Sequence, residues 1–90
     1  MTTCCVFGLG YIGLPTSAVL ASAGHTVFGV DINSDVVDTV NHGLIHIVEP
    51  DLDELVSSVV VSGQLTASLD PVQADVFIIA VPTPFHSDND

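Results

Sequence analysis

The sequence predicts an α/β fold in which a parallel sheet of about four strands, ordered 3-2-1-4, carries helices on both faces. Short apolar runs without polar alternation are typical of strands buried in a parallel sheet. Segments with helical character separate these runs, as crossover connections require. The first run ends at a glycine-rich turn. We expect one domain over residues 1–85 and a disordered tail over residues 86–90, because 90 residues suffice for one core.

The first predicted strand and helix flank the glycine-rich turn. Residues 3–7 (TCCVF) form the apolar run that predicts the strand. Residues 11–23 are rich in alanine and other small residues and stop before Gly24, which predicts a helix packed closely on the sheet. Pro15 falls near the first turn of this helix, where a missing N–H is tolerated.

The second predicted strand and helix follow directly. Residues 26–30 (TVFGV) predict the strand and place Asp31 at its carboxyl end. Asn33 or Ser34 then caps a short helix that stops at residues 41–43 (NHG). The pattern up to this point is β-α-β-α.

A third helix and two further strands complete the predicted fold. Residues 51–62 carry an apolar stripe at helical spacing, with Pro50 near its start and Gly63 after its end. The stripe consists of Leu52, Leu55, Val56, Val59 and Val60. Residues 65–69 (LTASL) predict the third strand, and residues 75–81 (DVFIIAV) predict the fourth, which a proline stops.

The charge composition is extreme. The chain has 11 acidic residues and no lysine or arginine, a formal net charge of -11, where an average chain of this length carries roughly ten basic residues. This composition suggests either an engineered sequence built from a restricted set of amino acids or a selected fragment. The charge argues against nucleic acid and anionic membranes as partners. We expect a cytoplasmic location, since no signal sequence, membrane span or disulfide pattern is apparent.

The glycine-rich turn has the spacing of a dinucleotide-binding motif. Gly8, Gly10 and Gly13 follow the first strand and open the first helix, and Asp31 ends the second strand 18 residues later, near the roughly 20 expected. Gly8 permits the tight turn, Gly10 lets a pyrophosphate approach the backbone, and Gly13 allows close helix–strand packing. The unpaired N–H groups at the helix start attract an anion, so this turn can hold phosphate with backbone groups alone.

Asp31 predicts which dinucleotide binds. Its carboxylate would accept hydrogen bonds from adenosine ribose hydroxyls and would repel a 2′-phosphate. NAD is therefore favoured and NADP disfavoured. The alternative is that Asp31 is only a solvated or helix-capping acid.

Four segments in order resemble the UDP-glucose/GDP-mannose dehydrogenase family, and most closely its members that oxidise UDP-N-acetylmannosamine. The segments are FGLGYIGLPT, GVDIN, VDTVN.G.IHIVEPDL and ADVFIIAVPTPF, and together they span nearly the whole chain. The resemblance implies an N-terminal Rossmann domain. In such enzymes this domain binds NAD for the oxidation of a nucleotide-sugar C6 alcohol to a carboxylate in two hydride transfers.

The resemblance also implies a set of cofactor-binding residues. They are Gly8, Gly10, Tyr11, Ile12, Gly13, Asp31, Ile32, Pro82 and Thr83. The catalytic cysteine, lysine and other acid/base groups of the family lie beyond the matched region, so no catalytic residue is assigned. Cys4 and Cys5 are expected in the core, because they fall on a buried strand.

We predict no metal site formed by side chains. The four histidines have no ligand spacing. The acids at residues 49–54 are typical of a solvated helix start.

Two functional hypotheses remain. The chain is either an NAD(H)-binding module without a catalytic domain, or a structural fold whose charge of -11 prevents ligand binding. Mg²⁺ could bridge phosphate and acids in place of the missing cations. We expect no dehydrogenase activity from 90 residues that lack the catalytic groups, and we expect self-association through the open edge of a four-stranded sheet.

Overall fold

A computed structural model of the chain describes residues 2–80. Seven elements follow one another in the order β1, α1, β2, α2, α3, β3 and β4. Their bounds are β1 Thr3–Phe7, α1 Gly13–Ser22, β2 Thr26–Val30, α2 Ser34–Asn41, α3 Leu52–Val61, β3 Leu65–Ser68 and β4 Val76–Ile79.

The four strands form one parallel sheet in the order β3-β2-β1-β4. Strand β1 lies between β2 and β4, with Cys5 opposite Phe28 on one side and Phe77 on the other. The predicted α/β fold with a parallel sheet, the strand number and the strand order are therefore confirmed. The reversal of strand order occurs between β1 and β4, where ligands bind in open α/β sheets.

Helix boundaries differ from the predicted ones mainly at the start of α1. The helix begins at Gly13, two residues later than predicted, because Tyr11 and Ile12 lie in a turn. Asn33 is the residue that caps α2, and its side chain accepts a hydrogen bond from the Asp35 N–H at 2.9 Å. Strand β3 is one residue shorter than the predicted range of residues 65–69. Of the predicted range 75–81, residues 75–80 are described, and β4 spans Val76–Ile79 of these.

The three helices of residues 2–80 pack on one face of the sheet. One buried cluster joins Cys4, Val6, Val27 and Leu65 of the strands to buried side chains of α1, α2 and α3. The sequence predicted helices on both faces. The difference has a topological cause, because β1, β2 and β3 progress in one direction across the sheet and right-handed crossovers then lie on the same side.

The opposite face of the sheet carries aromatic side chains. Phe7 and Phe77 stack there with ring centroids 6.1 Å apart, and Phe28 lies in register with Phe77 across Cys5. No helix of residues 2–80 covers this face. None of the helices in this part of the chain is long and apolar enough to cross a membrane.

The two edge strands of the sheet differ in what covers their free sides. At the β3 edge, the Asn41 amide donates to the Ala67 carbonyl at 2.9 Å and accepts from the Ala67 N–H at 2.8 Å, as a neighbouring strand would. At the β4 edge, Val76, Phe77 and Ile79 are exposed. The β3 edge is thus partly closed by a side chain, while β4 exposes apolar residues.

Candidate dinucleotide site

The turn after β1 is built by two glycines in contact. Gly8 has φ +100°, a conformation that side chains disfavour, and its N–H donates to the Val30 carbonyl at 2.7 Å. A Cβ on Gly13 would overlap the carbonyl oxygen of Gly8 and lie 3.3 Å from the Ala80 Cβ. The start of α1 therefore packs directly on the turn, as the roles predicted for Gly8 and Gly13 require.

The start of α1 presents unpaired backbone donors. Within residues 2–80, the N–H groups of residues 10–13 have no hydrogen-bond acceptor, whereas the Leu14 N–H already donates to the Gly10 carbonyl at 3.1 Å. No side chain caps this helix and no acid lies in its first turn. Four consecutive donors at the positive end of the helix dipole form an anion-binding arrangement.

Gly10 has open space where its side chain would be. A Cβ at this position would meet no atom within 4 Å, and the residue does not have a positive φ. Neither packing nor backbone conformation within the described residues therefore requires glycine here. The missing side chain leaves the turn accessible from outside, as the approach of a phosphate group would need.

Asp31 lies beside this turn at the carboxyl end of β2. One carboxylate oxygen accepts from the Leu9 N–H at 3.0 Å, and the other accepts from the Asn33 N–H at 3.0 Å. A carboxylate has about four acceptor positions, so two remain for a ligand. Asp31 therefore ties the glycine-rich turn to β2 and can still accept hydroxyl groups.

A small pocket of about 140 Å³ lies between the glycine-rich turn and Asp31. Its walls are Phe7, Gly8, Val30, Asp31 and Ile32. It lies at the carboxyl ends of β1 and β2, the edge at which open α/β sheets bind ligands.

The remaining predicted site residues surround this edge. Tyr11, Ile12 and Ile32 are 68%, 70% and 95% exposed. The structure thus brings seven of the nine predicted residues to one end of the sheet: Gly8, Gly10, Tyr11, Ile12, Gly13, Asp31 and Ile32.

The other two predicted residues, Pro82 and Thr83, lie outside the described residues. Ala80 donates to the Phe7 carbonyl at 2.8 Å, so the chain reaches this same edge just before them.

Residues 2–90 match the UDP-glucose/GDP-mannose dehydrogenase family, NAD binding domain. The chain belongs to this family. The resemblance found in the sequence is therefore confirmed.

Relatives with high sequence identity are nucleotide-sugar dehydrogenases by name. The chain is 62% identical over 85 residues to the UDP-N-acetyl-D-mannosamine dehydrogenase of Campylobacter jejuni, covering 94% of this chain and 21% of that protein. It is 63% identical over 83 residues to the NDP-N-acetyl-D-galactosaminuronic acid dehydrogenase of Ralstonia nicotianae, covering 92% and 20%. The chain spans about a fifth of the length of these relatives.

Solved structures of the family have the same fold. A UDP-N-acetyl-mannosamine dehydrogenase from Staphylococcus aureus matches with a TM-score of 0.91 and 51% identity, over 96% of this chain and 21% of that one. A GDP-mannose dehydrogenase from Pseudomonas aeruginosa matches with a TM-score of 0.90 and 36% identity, over 97% and 21%. The Rossmann-like architecture predicted from the motifs is thus shared with known dehydrogenases.

Leu9 and Gly29 are part of the candidate site that the sequence did not single out. Leu9 is completely buried and lies directly over Gly29 of β2. A glycine inside a strand indicates close approach by another group, so Gly29 was a usable signal. The partner of that glycine could not be identified from spacing alone.

Other candidate positions lie apart from this site or are buried. Cys4 and Cys5 are free thiols in the core, as predicted. A larger pocket of about 460 Å³ lies between the end of α2 and α3, and none of the predicted site residues lines it. It is lined by Gly43, Leu44, Asp53, Glu54, Ser57 and Ser58. Among the described residues, no three histidine, cysteine or acidic side chains are grouped to hold a metal ion.

Proposed function

We propose that this chain is the NAD(H)-binding module of a nucleotide-sugar 6-dehydrogenase. The observation that carries the proposal is the set of four unpaired N–H groups at residues 10–13, held beside the Asp31 carboxylate. In this proposal the N–H groups bind the pyrophosphate and Asp31 accepts the adenosine ribose hydroxyls. The family match over residues 2–90 supports the choice of NAD.

The site binds its anion without a cationic side chain. Each charge at a helix start is stabilised by about 0.3 to 1 kcal/mol when exposed and by up to about 2 kcal/mol when partly buried. The net charge of -11 opposes this attraction, but screening limits the repulsion beyond about 8 Å at physiological salt. Mg²⁺ bound to the pyrophosphate would reduce the repulsion further, since Mg²⁺ is commonly held by phosphates and only one or two carboxylates.

Asp31 disfavours NADP in this proposal. A 2′-phosphate would lie against a carboxylate whose two oxygens already hold the Leu9 and Asn33 N–H groups, so Asp31 is not free to swing away. No arginine is present to compensate the added charge. Pro82 and Thr83 would complete the cofactor site from the segment that follows β4, within a domain of residues 1–85.

The activity of the whole enzyme requires groups outside these 90 residues. We propose that the full-length protein oxidises the C6 alcohol of a UDP-linked amino sugar, as the name of the Campylobacter jejuni relative suggests. In this proposal the described residues supply the NAD site, and no catalytic group is assigned among them. Accordingly we expect no NADH formation when this chain alone is mixed with a UDP-sugar and NAD.

A structural fold with little or no ligand binding is the second candidate. The observation that favours it is the charge of -11 with no basic residue. The two candidates differ in their response to ions. Binding that strengthens with salt or Mg²⁺ supports the NAD module, whereas absence of binding at every salt concentration supports the structural fold.

We also propose self-association through the β4 edge. Val76, Phe77 and Ile79 are exposed there, whereas Asn41 occupies the opposite edge at Ala67. A monomer by gel filtration at high micromolar concentration would contradict this part of the proposal.

Isothermal titration calorimetry tests the cofactor assignment. We expect NAD to bind more tightly than NADP, and Asp31→Asn to narrow that difference because it removes the charge that repels the 2′-phosphate. Asp38→Asn is the matched control, since Asp38 is an exposed acid on α2 away from the site. Equal affinities for NAD and NADP in the unsubstituted chain would contradict the role of Asp31.

A further inference from the structure

The glycine-rich turn is fixed to β2 at three successive residues. A Cβ on Gly29 would lie 2.5 Å from Leu9 Cδ2, 3.1 Å from Cδ1 and 3.2 Å from Cγ, so the Leu9 side chain occupies the space above Gly29. The next residue, Val30, accepts a hydrogen bond from the Gly8 N–H at 2.7 Å. Asp31 then accepts one from the Leu9 N–H at 3.0 Å. These contacts set the position of the turn relative to Asp31.

Leu9 therefore has two connected roles in one residue. Its side chain is 0% exposed and packs with the core on the helix-covered face. Its N–H holds the carboxylate that faces the pocket. A group that displaced the side chain would also move the N–H, since both belong to a residue between Gly8 and Gly10 of the turn.

We propose that Leu9 and Gly29 are positioning residues for the dinucleotide. This inference rests on the proposed function. It adds that the Leu9–Gly29 contact sets the separation between the N–H groups at residues 10–13 and Asp31. A dinucleotide that binds both parts depends on this separation, whereas pyrophosphate alone uses only the N–H groups. A change in this separation should lower NAD affinity, because the groups that bind a ligand must be held close to their productive geometry.

Gly29→Ala is the first test. The added methyl pushes Leu9 away, so we expect the Leu9 N–H to lose its bond to Asp31 and to exchange faster with solvent in NMR. NAD affinity should fall by about tenfold or more, while the affinity for inorganic pyrophosphate should change by less than about twofold. The ratio of the two affinities separates positioning from a general loss of folded protein.

Leu9→Ala and the double variant Leu9→Ala/Gly29→Ala provide the complementary tests. Leu9→Ala alone removes the packed side chain, so NAD affinity should fall and the exchange of the residue 9 N–H should accelerate. In the double variant the methyl group added at position 29 fills part of the vacated space. We expect the NAD affinity of the double variant to return to within about threefold of the unsubstituted chain. Because Leu9→Ala introduces no overlap, it keeps the proposal testable if Gly29→Ala does not fold.

The possible failures can be told apart. If the unsubstituted chain binds neither NAD nor pyrophosphate, the proposed function and the positioning role are both contradicted. NAD binding that Gly29→Ala and Leu9→Ala leave unchanged overturns the positioning role alone. An equal loss of NAD and pyrophosphate affinity, or a Leu9 N–H that remains protected in Gly29→Ala, also overturns it.

Discussion

The starts of α1 and α3 are two helix N-termini in one acidic chain, and they differ in the acidic side chains near their unpaired N–H groups. At α3, Asp53 and Glu54 lie in the first turn. At α1, the first turn has no acid and no capping side chain, and the N–H groups of residues 10–13 have no acceptor within residues 2–80. The positive end of α3 is thus compensated by the chain itself, while that of α1 is uncompensated within residues 2–80 and is the anion site that we propose.

Glycine is needed at only one of the two helix starts. The α3 start projects acidic side chains that are exposed to solvent. The α1 start packs Gly13 against Gly8 and leaves Gly10 open to the outside. Close packing below and open space above are the two conditions that a backbone-built phosphate site requires.

The largest expected effect comes from Gly13→Ala. Its Cβ would overlap the carbonyl oxygen of Gly8, a backbone atom that cannot move without shifting the turn. We expect a loss of unfolding free energy of about 3 kcal/mol, at the upper end of the range for overpacked sites, measured by urea unfolding. A stability equal to that of the unsubstituted chain would contradict the close packing described for α1.

Gly10→Ala separates binding from folding. Its Cβ meets open space and its φ is not positive, so unfolding free energy should change by less than about 1 kcal/mol. NAD affinity should fall about tenfold, because the methyl group blocks the approach of the pyrophosphate. Calorimetry and urea unfolding on the same sample measure both quantities. Unchanged NAD affinity would show that phosphate does not approach at Gly10.

Ile12→Asp converts the start of α1 into one like that of α3. Ile12 is exposed and precedes the first helical residue, so a carboxylate there should stabilise the helix by about 0.5 kcal/mol. The same carboxylate should compete with the pyrophosphate and weaken NAD binding. Ile12→Asn is the neutral control, and it should weaken binding less. Tighter NAD binding by Ile12→Asp would contradict the proposed anion site.

Asp53→Asn has the smallest expected effect. Removing one charge from the start of α3 should lower the unfolding free energy by about 0.3 to 1 kcal/mol at low salt and by less at high salt. NAD affinity should be nearly unchanged, because Asp53 does not line the pocket between the glycine-rich turn and Asp31. A large loss of NAD affinity would indicate that the anion binds at the start of α3, and would contradict the proposed site at α1.

The strands could be predicted from local apolar runs, and their order could be predicted from the connections that doubly wound parallel sheets use. The candidate site residues could be brought to one end of this sheet because the glycine spacing and the end of β2 place them there. Apolar runs and the Gly8, Gly10, Gly13 and Asp31 spacing indicate the sheet and its binding edge directly. The start of α1 could not be located, since the small residues of 11–23 continue the helical pattern through a turn. The Leu9–Gly29 contact was missed because it joins the turn after one strand to the next strand, and sequence spacing does not specify which side chain fills the space above a glycine.

The central claim is that the start of α1, and not that of α3, binds the dinucleotide. Titration of NAD into the chain, followed by NMR amide shifts with and without Mg²⁺, tests it most directly. We expect shifts concentrated at residues 8–13 and 31–33, with none at residues 51–54. A well-dispersed spectrum without shifts at millimolar NAD, or with shifts centred on residues 51–54, would contradict the claim.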